Sequence, residues 1–349
     1  MRGSPASRVV ITGIGAVSPF GVGRERFWDH VQRGCSGTRA ITGFDAADLG
    51  CRVAAAVPPV TIADVPPLER DDVWDPDYRA DPKRYSRAAL IGVIAAREAW
   101  ADAGLAIGES GSGVVIGSGG GGIDVGERQY YDFFVERGRK VTPYAIPVSI
   151  VGMVSSEISI SLRLHGVSHV LSCGCTSSTD AIGYAAALIR SGEADVLLSG
   201  GTDACVTPGM IFGFARMKAV SMAIERSGRP REQIGYVSYH GTSTVLNDAV
   251  EARCVRQLFG EYADRLPGSS VKSMIGHPQG ASGAAGVVSA VLAMDRRFLP
   301  PTINQQDPDP ACDLDFVPNR GRPGTIEAAL CNCLGFGSKN SALVLGAAH

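Results

Sequence analysis

The stretch Val167–Gly201, VSHVLSCGCTSSTDAIGYAAALIRSGEADVLLSGG, constrains the chain most, because it reads as strand, turn, helix and strand in quick succession. Val167–Leu171 is short, apolar and partly β-branched, the pattern of a buried strand. Ala181–Ile189 is Ala-rich and almost wholly apolar, which suits a helix buried on most sides. Gly192 stops it, and Ala194–Ser199 is the next strand. Cys175 therefore falls in a tight strand-to-helix turn, with Thr176, Ser177 and Ser178 as small hydroxyls for capping. Unpaired amides and the helix dipole at such a place favour an anion, so they ease ionisation of a thiol and can serve an oxyanion. An inert buried cysteine fits the same pattern equally well.

The totals narrow the classes. A chain of 349 residues that is 45% hydrophobic can bury one large α/β body or two domains. A net charge of −2 without a basic run argues against nucleic acid or an anionic membrane as partner. No apolar stretch reaches membrane-spanning length and residues 1–12 lack a signal pattern, so the expectation is a cytoplasmic protein. Nine cysteines are an odd number, and the pairs Cys173/Cys175 and Cys331/Cys333 lack zinc-ribbon spacing. Neither a disulfide framework nor a structural metal is expected.

Along the chain, Arg8–Gly13 reads as a first buried strand and Glu25–Gln32 as a short helix. Residues 56–83, rich in proline and acids, form an irregular surface loop. Ser86 can cap a helix running to about Asp102 and ended by Gly104. Val114–Gly117 is a strand followed by SGGGG, which could cradle phosphate but lacks the acid or G-K-[ST] of a nucleotide site. Close backbone packing explains those glycines more simply. Ala145–Leu164 has helical spacing and is expected over the Cys175 strand. The pattern then restarts: strand Ile234–Tyr239, helix Asp248–Phe259, strand Gly268–Val271, helix Gly280–Arg296, and strands Ala329–Leu334 and Ser341–Gly346. Both halves read strand–helix–strand–helix–strand, an order-level duplication, with the boundary expected at 221/222. The second half closes with a strand pair, whereas the first has no partner strand behind Ala194–Ser199.

Two histidines complement Cys175. His240 closes a strand and opens the small-residue turn HGTST, and His277 lies in VKSMIGHPQGASG, five residues after Lys272. Each alone is more simply a structural histidine, but three coincidences at strand-to-helix turns are hard to attribute to packing. Two neutral imidazoles can both donate to one carbonyl oxygen, which suits an enolate.

The blocks GCTSSTDAIGYA, HGTSTVLNDAVE, KSMIGHPQGASG, PPTINQQDPDPACDLDFVPN and NCLGFGSKN resemble the β-ketoacyl-acyl carrier protein synthases, condensing enzymes of the thiolase-like fold, in the right order over nearly the whole chain. Within that family the likeness is to the elongating Cys-His-His type, including type II polyketide ketosynthase alpha subunits. The resemblance implies duplicated βαβαβ halves in α-β-α-β-α layers and decarboxylative Claisen condensation of an acyl-enzyme with malonyl-carrier protein. It implies Cys175 as nucleophile, His240 and His277 as carbonyl donors, and Lys272 as their electrostatic support. The Cys175 and Phe336 amides would form the oxyanion hole, with Phe336 also a gate. The partners implied are acyl carrier protein and a second copy, or a ketosynthase-like subunit, and no cofactor is needed. Lys83, Arg84, Arg216 and Lys218 are expected on the carrier-protein surface. An inactive partner subunit or truncated remnant, or a thiolase-like acyltransferase or hydrolase using the same cysteine, are the competing readings.

Three departures from the family stand out. The family carries a D-x-x-R-D-G-F-V-x-G-E-G-A-G segment with two strands after the MKA-like stretch, whereas here Met217–Ser221 runs almost directly into Ile234. Strands between the halves are thus expected to be missing, with the joint at Ser221–Met222. Gly286 stands where the family usually has Glu, so Lys272 is expected to lack a carboxylate partner. Gly120 stands where a bulky aliphatic residue is common, and is expected to enlarge an acyl pocket.

Overall fold

The two halves share one strand order in the computed structural model, which describes residues 8–49, 51–68, 82–136, 141–215, 231–244, 247–335 and 339–347. The first sheet contains β1 (Ser112–Gly117), β2 (Ser168–Leu171) and β3 (Val196–Gly201), all parallel, in the order β2-β1-β3. The second contains β4 (Tyr236–Ser238), β5 (Gly268–Ser269), β6 (Ala328–Gly335) and β7 (Lys339–Gly346), in the order β5-β4-β6-β7 with β7 antiparallel. The first three positions match between the sheets. Among the described residues the first sheet has no fourth strand, so β3 is an edge.

The helices form three layers around these sheets. Ser86 Oγ accepts the Ala89 N–H at 3.1 Å and caps α1 (Arg87–Asp102), which packs with α3 (Met153–Leu162) on the outer face of the first sheet. Between them in sequence, α2 (Ile123–Phe134) leaves Tyr130, Phe133 and Phe134 exposed. Between the sheets lie α4 (Ser177–Ser191), stopped by Gly192 at φ +79°, and α6 (Ser282–Arg296). The outer face of the second sheet is covered by α5 (Asn247–Phe259) through Val255 and Phe259. The arrangement is therefore α-β-α-β-α, as expected.

Glycines bring the inner helices onto the sheets. A β-carbon at Gly117 would collide with the backbone of Ser177 and Ser178, so the first turn of α4 lies on the end of β1. One at Gly283 would strike the Thr179 hydroxyl, so the first turns of α4 and α6 touch. Ser178 Oγ accepts the Ala284 N–H at 2.9 Å across this junction.

Several local expectations are corrected. Arg8–Gly13 forms no strand, because among the described residues no strand lies beside it. The segment instead runs on to α1, where Asp102 accepts the Ile14 N–H at 2.9 Å and Glu98 the Ala16 N–H at 2.8 Å. The strand at Val167–Leu171 is not buried: Ser168 and His169 are exposed, because β2 is an edge of its sheet. Ala145–Leu164 splits into Ala145–Ser149 and α3. Thr176 caps nothing and binds Asp180 Oδ2 at 2.9 Å instead. The joint at Ser221–Met222 lies outside the described residues.

A cleft of about 1420 Å³ runs between β3, the 8–16 segment and the inner helices, lined by Val9, Ile11, Ile189, Leu197, Val288 and Leu345. Val10 and Ile11 remain 59% and 50% exposed, and among the described residues the buried Ser199 hydroxyl on β3 has no partner. An open strand edge facing apolar surface is costly. A protein of intact mass 36.4 kDa should therefore bind a hydrophobic dye under native conditions and melt broadly. Absence of dye fluorescence together with a sharp cooperative transition would contradict this.

Candidate active site

The Cys175 turn is shaped by its own backbone. Gly174 takes φ +72°, and Gly174–Thr176 forms a single 3-10 turn between β2 and α4. Ser177 Oγ accepts the Cys173 N–H at 2.8 Å and donates to the Gly174 carbonyl at 2.6 Å. This lock leaves Cys175 directly ahead of the helix and 3% exposed.

The histidines come to this turn from the other half. His240 follows β4 and is 3% exposed, and His277 follows the short helix Lys272–Ile275. Their ring centroids are 5.3 Å apart and nearly perpendicular, at 84°. The Gln279 N–H donates to His277 Nδ1 at 3.0 Å, which leaves the hydrogen of the neutral ring on Nε2. Burial, reinforced by the charge of Lys272, lowers the pKa of His277 to about 3 and holds that of His240 well below its ordinary value. Both rings are neutral donors in the physiological range.

Lys272 is buried, and burial lowers its pKa against the opposing pull of Cys333, Glu251, Cys175 and Asp248. The expectation that it lacks a carboxylate is corrected, because Glu251 on α5 supplies one. Glu251 accepts the backbone N–H groups of His240 and Gly241 at 2.7 and 2.9 Å, and Asn332 Nδ2 at 2.7 Å. Burial raises its pKa, opposed by those donors and by Lys272. At Gly286 a β-carbon would meet Ser238 Oγ at 3.0 Å.

Asp203, just past β3, joins the glycine run to the second half. Its carboxylate accepts Ser118 Oγ at 2.9 Å and the N–H groups of Gly119, Gly120 and Gly280 at 2.9, 2.8 and 2.6 Å. The glycine amides are therefore occupied by a carboxylate, which removes the phosphate cradle. At Gly120 a β-carbon would meet Cys205 Sγ at 2.7 Å and Ile123 Cγ2 at 3.3 Å.

Of the remaining candidates, Phe336, Arg216 and Lys218 lie outside the described residues. Lys83 is exposed, and the Arg84 guanidinium lies 5.9 Å over the Tyr144 ring. Sequence reasoning missed Asp203, Glu251, Asn332 and Cys333. Three of them sit inside the HGTSTVLNDAVE and NCLGFGSKN blocks, but only the fold turns them toward the histidines. Among the described residues no His, Cys, Asp or Glu cluster could hold a metal ion, and none of the nine cysteines is in a disulfide. No helix described is long and apolar enough to cross a membrane.

Family models for the beta-ketoacyl synthase N-terminal and C-terminal domains match residues 6–246 and 207–306. The chain is 32% identical to the 3-oxoacyl-[acyl-carrier-protein] synthase 2 of Coxiella burnetii, covering 97% of this chain and 98% of that one. It is 29% identical to the tetracenomycin polyketide synthase ketoacyl synthase alpha subunit of Streptomyces glaucescens, over 97% and 96%. The ishigamide ketosynthase/chain length factor structure superposes with a TM-score of 0.86 at 26% identity, over 97% and 99%. The Coxiella alignment spans 419 positions against 349 residues here, so at least 70 positions of that relative have no counterpart.

The ring environment fixes a pH signature. A histidine whose folded pKa lies below the free value of 6.5 contributes stability above that pH and loses it as the pH falls toward the folded value. ¹⁵N-labelled His240 and His277 should keep neutral-imidazole shifts from about pH 7.5 to about pH 5. A titration midpoint near 6.5 for either ring would contradict the site.

Proposed function

Because the chain belongs to the beta-ketoacyl synthase family, we propose that it forms carbon–carbon bonds by decarboxylative Claisen condensation of an acyl-enzyme with malonyl-carrier protein, in fatty-acid or polyketide synthesis. The observation that carries this reading is the pair of neutral imidazoles, 5.3 Å apart, brought to the Cys175 turn from the other half.

In the first step the Cys175 thiolate attacks an acyl thioester on the carrier protein. The acyl group moves to sulfur as its bond to the carrier sulfur breaks, and the carrier thiolate takes up the proton that the Cys175 thiol gave up. In the second, the thioester oxygen of malonyl-carrier protein accepts hydrogen bonds from His277 Nε2–H and His240. The bond to the carboxylate breaks, carbon dioxide departs, and the electron pair remains as an enolate stabilised by the two donors. That carbon attacks the Cys175 thioester, whose oxyanion is held by the Cys175 amide with Phe336 as its second donor. Collapse breaks the C–S bond, returning the thiolate and a β-ketoacyl carrier protein. Burial and Lys272 keep the histidines neutral, and Glu251 holds the turn at His240 in place.

The carrier-protein surface follows the basic residues Lys83, Arg84, Arg216 and Lys218. A solved neighbour pairs a type II polyketide ketosynthase with its acyl-carrier protein. A second copy pairs through the outer edge of β2, which has no partner strand among the described residues and is flanked by exposed Ile146 and Ile150, or a ketosynthase-like subunit takes that place. Residues 1–221 and 222–349 form the two halves, and nine cysteines outside any disulfide suit a cytoplasmic location. The open edge of β3 favours one competing reading, an inactive subunit or remnant.

Carbon dioxide release from malonyl-carrier protein and acylation of Cys175, followed by intact-protein mass, separate these readings. Wild type should do both. Cys175→Ala should lose acylation but retain decarboxylation, and His277→Ala should slow decarboxylation by about 10²-fold. Acylation without carbon dioxide release would point to an acyltransferase, and neither activity to an inactive subunit.

A further inference from the structure

The mechanism leaves one buried thiol among the reacting groups without a part. Cys333 lies on β6 and is 1% exposed. Its Sγ is 3.1 Å from the Cys175 carbonyl oxygen and 3.6 Å from His240 Nδ1. Burial pushes this thiol up to about 11 although the charge of Lys272 pulls the other way, so it keeps its proton near neutral pH.

His240 is a neutral ring with one hydrogen, carried on either Nδ1 or Nε2. The two tautomers differ in what they offer a substrate. With the hydrogen on Nδ1, the ring donates to the Cys333 sulfur and Nε2 is only an acceptor. With the thiol hydrogen pointing at Nδ1, Nε2 carries the ring hydrogen and can donate. For His277 the Gln279 amide makes this choice. Among the described residues, Cys333 Sγ is the only hydrogen-bond partner of the His240 ring, since Glu251 holds its backbone amide instead.

We propose that Cys333 is a positioning residue that selects the Nε2–H tautomer of His240 by donating its S–H to Nδ1. The proposal rests on the reading that His240 donates to a thioester oxygen. The Cys175 carbonyl is the competing acceptor for the same hydrogen, and the imidazole nitrogen is the more basic of the two. The sulfur thus bridges the nucleophile's own peptide group and the ring that must donate.

Cys333→Ala and Cys333→Ser test this, because serine keeps a donor at the same place and alanine does not. Three quantities are read: ¹⁵N shifts of the His240 ring, kcat and KM for carbon dioxide release from malonyl-carrier protein, and the rate of Cys175 acylation. Wild type should show a protonated Nε2 and a bare Nδ1. Cys333→Ala should show mixed tautomers and a kcat about tenfold lower, a fraction of the 10²–10³ lost with an entire oxyanion donor. KM and acylation should stay within about twofold, and serine should restore most of the kcat. An alanine variant with unchanged kcat and tautomer, or a serine variant no better than alanine, would overturn the proposal. If alanine fails to fold, a wild-type His240 with its hydrogen on Nδ1 would overturn it alone. Wild type without carbon dioxide release would instead sink the condensing activity, leaving the ¹⁵N tautomer to decide the role of Cys333.

Discussion

The contact between the first turns of α4 and α6 makes one site out of two halves. Gly283 against Thr179 lets the two helix starts meet, and the Ser178–Ala284 hydrogen bond fixes their register. Cys175 rides on one of these starts and His277 on the approach to the other. Asp203 reinforces the junction from the side, because one buried carboxylate takes amides from Gly119, Gly120 and Gly280 in both halves. A buried carboxylate with this many donors is costly to disturb. The geometry of the nucleophile and of the histidines is thereby set by the same few bonds.

Burial then does the electrostatic work. In water an imidazole near neutral pH is partly charged and a poor match for a carbonyl oxygen that must gain only hydrogen bonds. Here desolvation and Lys272 hold both rings neutral, while Glu251 fixes the turn at His240 without touching its ring. The cleft that ends at His277 and Gln279 adjoins the open edge of β3. The relative from Coxiella has at least 70 positions without counterpart here, and among the described residues the first sheet has one strand fewer than the second.

Most of the architecture was legible in the sequence because it is written locally. The capped helix after Ser86, the Gly192 stop and the strand-to-helix turn at Cys175 each follow from residues within a few positions. The duplicated strand order of the two sheets was legible from counting elements. The rest depended on neighbours distant in sequence. Arg8–Gly13 has strand composition, but a strand exists only beside another, and the residues described provide none. Glu251, Cys333 and Asp203 meet the site through α5, β6 and the end of β3, and no spacing rule links them to His240 or Gly280. The contact of Gly120 with Cys205 likewise joins residues that no spacing rule links.

The central claim is that one sulfur and two neutral imidazoles act together on two thioesters. Incubating the wild-type protein with an acyl-carrier protein and a malonyl-carrier protein, then weighing the carrier products, tests it most directly. The account predicts a β-ketoacyl carrier protein longer than the starting acyl group by the two carbons that malonyl retains after decarboxylation. A carrier pool with the acyl and malonyl groups unchanged, or merely hydrolysed, would contradict it.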